Sequence, residues 1–178
     1  MTPREQLSMT MRELVKAINL LQRNRLLLPS IMVSFSTIDI LAGLTRPSQK
    51  VESDGQDFRA WVEKYVLPGS KLPCSANDLW AARCGLLHTY TPEARDIRAG
   101  KARPLLYALG SLDDDDRAST ELSLGEYVVI VSQDLFNSLS VAFDRFMREV
   151  AADSALGQLV DERAAKFLVP LFEESPKS

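Results

Sequence analysis

Hydrophobic positions recur at helical spacing over most of the chain. Leu7, Met11, Leu14, Val15, Ile18 and Leu21 mark an amphipathic first helix from about Arg4 to Gln22, and Arg23-Asn24-Arg25 breaks the pattern with a polar turn. A second helix, near Leu28 to Leu44, is apolar nearly all round, as expected of the element at the centre of a bundle. Asp39 is its one charge, at the edge of the stripe made by Leu28, Ile31, Phe35, Ile38 and Ala42. Thr45 to Gln56, rich in Pro, Ser, Asp and Gly, reads as an exposed loop. Phe58, Trp61, Val62 and Tyr65 form a third, shorter helix that ends at Pro68-Gly69.

Ser75 and Asp78 have the spacing of a capping box, and Pro92 disfavours helical geometry at Thr91, so a fourth helix lies between them. Its inner stripe is Leu79, Trp80, Cys84, Leu86 and Leu87, with Arg83 near the middle. Thr91-Pro92-Glu93 reads as an N-cap with proline at the first helical position, and Gly100 as the stop of a short helix. Leu105–Leu109 and Tyr127–Val131 are short apolar runs bounded by Gly110 and Gly125 and read as two strands. Helical spacing then returns, first over Leu135, Phe136, Leu139, Phe143, Phe146, Met147 and Val150 after Ser132, a cap. A last helix follows over Leu156, Leu159, Val160, Ala164, Phe167, Leu168 and Leu171 after Asp153-Ser154, until Pro170. The expected fold is mainly α: one domain over residues 1–178, a bundle of about five to six helices with a small two-stranded β-hairpin insertion at about 104–131.

Composition changes this picture little. A 46% hydrophobic, 25% charged chain of 178 residues is ordinary for a globular domain. Its net charge of −3 gives no general attraction to nucleic acid or anionic membrane, so polyanion binding needs a local basic patch. Leu26 to Leu44 is nearly long enough to cross a bilayer, but Pro29, Ser34, Thr37 and Asp39 within it favour a buried core helix, and no membrane association is expected. Met1 to Gln6 carry charges without a following apolar run, so no secretory leader is expected either. Cys74 and Cys84 form no CxxC and have no histidine cluster, which points to reduced thiols in the cytoplasm and to no metal site or cofactor. Asp113 to Asp116 lack the spacing of a calcium loop and read as a solvated loop.

Chemistry is hinted at in one place. Arg83 is a charge on an apolar face, and His88, five residues on, is the only histidine. The spacing Arg-x4-His on a helix of an all-α domain resembles the motif of the HEPN superfamily (higher eukaryotes and prokaryotes nucleotide-binding domains). The resemblance covers Arg83 and His88, supported by the bundle pattern and the apolar second helix. It implies a metal-independent endoribonuclease, of toxin or defence type, in which Arg83 and His88 of two protomers meet at a homodimer cleft. The position after the arginine is usually polar in that family, often asparagine; here it is Cys84.

The residue types suit that chemistry. Cleavage by the 2′-hydroxyl needs a proton carrier active near neutrality, which imidazole is. It also needs a cation for the charge that builds on phosphate, which guanidinium supplies as a fixed fork of donors. Residues five apart on a helix diverge by about 140°, so one chain's pair is expected to converge poorly unless the helix loosens or a second copy completes the site. Arg95, Arg98, Lys101 and Arg103 form a local basic excess that would contact RNA phosphates.

Other readings stand beside this one. A non-catalytic HEPN-like module would bind RNA or a protein through the same surface, and Cys84 favours it. A helical structural or regulatory protein would use Arg83 only in a core ion pair with Asp39. There His88 would be a helix C-terminal residue favoured by the macrodipole.

Overall fold

The protein's computed structural model, which describes residues 1–92, 94–110 and 126–168, is organised round helix α2 (Leu27–Thr45). One face of it is fully covered, with Ile31, Phe35, Ile38, Leu41 and Ala42 at most 1% exposed, and Met32, Val33 and Ile40 on the other side are partly buried. Ser30, Ser34 and Thr37 are buried with them, and their hydroxyls donate to the carbonyls of Leu27, Ser30 and Val33 at 2.7, 2.9 and 2.8 Å. Bonding back to its own helix lets each hydroxyl enter the core without an orphaned polar atom. With a mean hydropathy of 1.7, α2 is long and apolar enough to cross a membrane, and half of that stretch is buried against other elements.

Helix α1 (Pro3–Arg23) packs along α2 and buries Leu7, Met11 and Ile18; Arg25, at φ +58°, turns the chain between the two. Helix α3 (Gly55–Trp61) starts on a capping box of Asp54 and Asp57 and widens into a π-turn at Val62–Val66 before Pro68 and Gly69. Helices α4 (Ala76–Thr89) and α5 (Arg95–Arg98) follow. After strands β1 (Leu105–Ala108) and β2 (Val128–Val131) come α6 (Ser132–Ala152) and α7 (Ser154–Phe167). The protein is thus mainly α, with seven α-helices and one two-stranded sheet among the described residues. From α7, the buried guanidinium of Arg163 donates to the carbonyls of Gly43, Arg46 and Pro47, closing the end of α2 where carbonyls lack intrahelical partners.

Three local expectations are corrected. The two strands are parallel, with Leu105 opposite Val128 and Ala108 opposite Val131, so the insertion is not a hairpin. A parallel pair needs a crossover of about a dozen residues or more, and residues 109–127 separate the strands. All four residues of β2 are buried, so its run of Val and Ile is the unbroken pattern of a strand covered on both faces. The short helix begins at Arg95 rather than at Pro92, because Thr91 folds back onto α4; Gly100, at φ +67°, does lie just past its end. Ser132 is the first residue of α6 and not its cap, since β2 runs directly into that helix. The aspartate run at 113–116, Glu93 and the segment from 169 onward lie outside the described residues.

Candidate active site

Helix α4 carries the candidate residues, and its first turn is anchored twice. Ser75 accepts from the Asp78 amide at 3.2 Å, and the Asp78 carboxylate accepts from the Ser75 amide at 2.9 Å. The same carboxylate, 3% exposed, also accepts from the Arg103 amide at 2.7 Å and from its guanidinium at 2.8 Å. Burial pushes the Asp78 carboxyl up, but these donors outweigh it and leave the group below its ordinary 3.8. A depressed carboxylate stabilises the fold above the unfolded pKa and ceases to do so as pH falls through the folded one. Asp78→Asn is therefore expected to lower stability by about 2 kcal/mol near neutrality. In urea melts the gap from the parent should narrow below about pH 4; a pH-independent gap would show that the carboxylate charge is not what matters.

Farther along, the helix turns Leu79, Ala82 and Leu86 into the core, while Trp80, Arg83, Cys84 and Leu87 are only half-buried. Arg83 thus sits at the margin of the apolar face and not at its middle. The reason is Asp39: Arg83 Nε and Nη2 donate to Asp39 Oδ2 at 2.9 and 2.8 Å, tying α4 to α2. Their side chains remain 19% and 29% exposed, so this is an ion pair at the rim of the core. Burial holds the Asp39 carboxyl above its usual range, with Arg83 opposing. Burial also works against the Arg83 charge, but the Asp39 carboxylate outweighs it and the guanidinium is held more firmly protonated.

The third arm of the same guanidinium reaches His88: Arg83 Nη1 lies 2.8 Å from His88 Nε2. A guanidinium only donates, so His88 presents the lone pair of Nε2 to it. The expectation that one chain's pair would converge poorly is therefore corrected. Five residues advance about 7.5 Å along a helix axis, a distance that the long arginine side chain spans while Asp39 holds its base.

Helix α4 stays regular through Thr89 and ends directly after it. Tyr90 adopts a left-handed conformation at φ +54°, and its amide donates to the Gly85 carbonyl five residues back. The Thr91 amide and the Thr89 hydroxyl donate to the same carbonyl at 3.2 and 3.0 Å. The chain closes so tightly over this point that a Cβ on Gly85 would lie 2.3 Å from the Thr91 carbonyl oxygen. His88 stands exposed on the outer side of that turn.

The basic residues divide into two groups. Arg103 is held by Asp78 and the Pro73 carbonyl, at 2.8 and 3.1 Å, and braces the start of α4. Arg95, Arg98 and Lys101 are exposed on and after α5. Arg95 borders a cleft of about 580 Å³ between α3, α4 and α5, whose wall includes Arg59, Trp80 and Cys84. The Arg59 and Arg83 guanidinium carbons lie 5.8 and 5.2 Å from the centre of the Trp80 ring. Trp80 was legible as a neighbour of Arg83, one helical turn away. Arg59, on another helix, carried no sequence signal. Burial pushes the Cys84 thiol up, although Arg83 works against it, which leaves Cys84 a poor nucleophile.

No family model, curated protein or solved structure significantly matches the chain.

Proposed function

We propose that the protein is an HEPN-like endoribonuclease that cleaves RNA without a metal ion, with Arg83 and His88 as its reacting groups. The observation that carries this reading is the 2.8 Å approach of Arg83 Nη1 to His88 Nε2 at the surface, with Asp39 bonded behind the guanidinium. The ribose 2′-hydroxyl displaces Arg83 Nη1 from the lone pair of His88 Nε2, which takes its proton as the oxygen attacks the adjacent phosphorus. The Arg83 N–H groups not engaged by Asp39, those of Nη1 among them, face the charge that builds on the phosphoryl oxygens. The bond to the 5′-oxygen breaks, and that oxygen takes a proton from the imidazolium of a second protomer across the proposed homodimer. The products are a 2′,3′-cyclic phosphate and a 5′-hydroxyl end. The proposed enzyme works in the cytoplasm, and Cys74 and Cys84 are free thiols as a reducing compartment would keep them.

The Asp39 contact favours a second reading. Two of the three nitrogens of Arg83 serve Asp39, as they would in an ion pair whose role is to fasten α4 to α2. The two readings separate in one assay. Single-stranded RNA incubated with the protein and EDTA should yield fragments ending in cyclic phosphate. Intact RNA at micromolar protein, from a sample shown to be dimeric by light scattering, would leave the ion-pair reading in its place.

A further inference from the structure

The cleft between α3, α4 and α5 contains two cations and one aromatic ring that the catalytic chemistry does not use. Arg59 and Arg95 both border it, and neither has a carboxylate partner among the described residues. Trp80, half-buried, lines the same cleft, with its ring braced by Phe58 at 5.4 Å and so close to Gly55 that a Cβ there would lie 2.5 Å from it. A braced indole beside guanidinium groups that no described carboxylate neutralises is the combination that receives single-stranded nucleic acid: the ring stacks a base and the cations hold its phosphate.

The two acidic residues of the cleft among the described residues do not cancel this. Asp54 is bonded to Lys50 at 2.7 Å and to the Gln56 amide at 2.8 Å. Asp96 leaves a carboxylate acceptor at the rim, of the kind that takes a hydroxyl or an exocyclic amino group. Arg59, at 5.8 Å, is near the outer limit of a cation–π contact, about 6 Å, so a base displaces it from the ring face at small cost. Arg83 touches the same ring, which places the cleft next to the reacting pair.

We propose that this cleft is a nucleotide subsite for single-stranded RNA, with one base against Trp80 and its phosphate between Arg59 and Arg95. It rests on the RNA reading of Arg83 and His88 for its substrate class. The test uses a 2′-O-methyl hexanucleotide, which lacks the attacking hydroxyl and so reports binding apart from cleavage. Trp61 is 2% exposed in the core, so the oligonucleotide should quench the fluorescence of Trp80 alone. Arg59→Gln, which gives up only a long contact with the Trp80 ring, and Arg95→Gln should each weaken binding about fivefold and reduce its salt dependence by about one released counterion. Trp80→Leu should weaken it about tenfold or more, and Trp80→Phe, which keeps a stacking face, by less.

Unchanged binding in both arginine variants would overturn the subsite, whether or not RNA is cleaved elsewhere. Full competition by equimolar inorganic phosphate would also overturn it, since that would leave an anion site with no role for the ring. Binding as expected without any cleavage of natural RNA would keep the subsite and remove the catalytic reading.

Discussion

His88→Ala is expected to slow RNA cleavage by about 10²- to 10⁴-fold, the usual contribution of a positioned proton carrier, while leaving the melting temperature unchanged. The two halves of that result have separate physical grounds. His88 is exposed, and its one side-chain partner among the described residues is Arg83. Exposed side chains of this kind contribute within about 0.5 kcal/mol to stability. The imidazole is also the only one in the chain, so no neighbouring histidine takes over its proton transfer. Rates followed on a fluorescent oligoribonucleotide, with thermal melts alongside, decide the matter. Parental turnover in the alanine variant would remove His88 from the mechanism. A melting point lowered by many degrees would instead make it a structural residue.

Gly85→Ala is the second variant with a large expected effect, and here fold and activity should fall together. In most helices this change is favourable by up to about 1 kcal/mol, because alanine has the higher helix propensity. At Gly85 the new methyl would lie 2.3 Å from the Thr91 carbonyl oxygen, a backbone atom that moves only with its segment. Relief requires the Tyr90–Thr91 reversal to open, which breaks the bonds converging on the Gly85 carbonyl and shifts His88 in the same turn. The expected cost is about 2–3 kcal/mol, or on the order of 5–10 °C in a chain of this size, with a matching loss of cleavage.

Gly43 supplies the control. Its nearest neighbour would be an Arg46 side-chain nitrogen at an ordinary 3.6 Å, so Gly43→Ala should leave the melting point equal or higher. Equal melting of the Gly85 variant and its parent would mean that Thr91 does not fold over this helix in solution.

Much of this was legible residue by residue. The capping box at Ser75 and Asp78, the all-round apolar α2 and the stripes of α1 and α6 follow from local spacing. Arg83 and Asp39 are two charges on apolar faces, each of which needs a partner, and they are bonded. The strand pair was legible in position but not in direction. Spacing along one chain says little about whether two paired segments run in the same or in opposite directions. The unbroken Val128–Val131 run, buried throughout, was the available clue to a parallel pair. Arg83 and His88 meet although their positions diverge on a regular helix, because the reach of the arginine side chain is not contained in the angle between two positions.

Periodicity and capping chemistry act over three or four residues, so the pattern alone established a helical domain with α2 at its centre and singled out Arg83 and His88. Folding decided what those two residues face. The Arg83 guanidinium is aimed by Asp39, forty-four positions away, and His88 by the closure over Gly85. Arg59 and Trp80 come to one cleft because α3 packs on α4. Such meetings depend on how elements dock, and docking is set by the whole core at once rather than by any short stretch of chain.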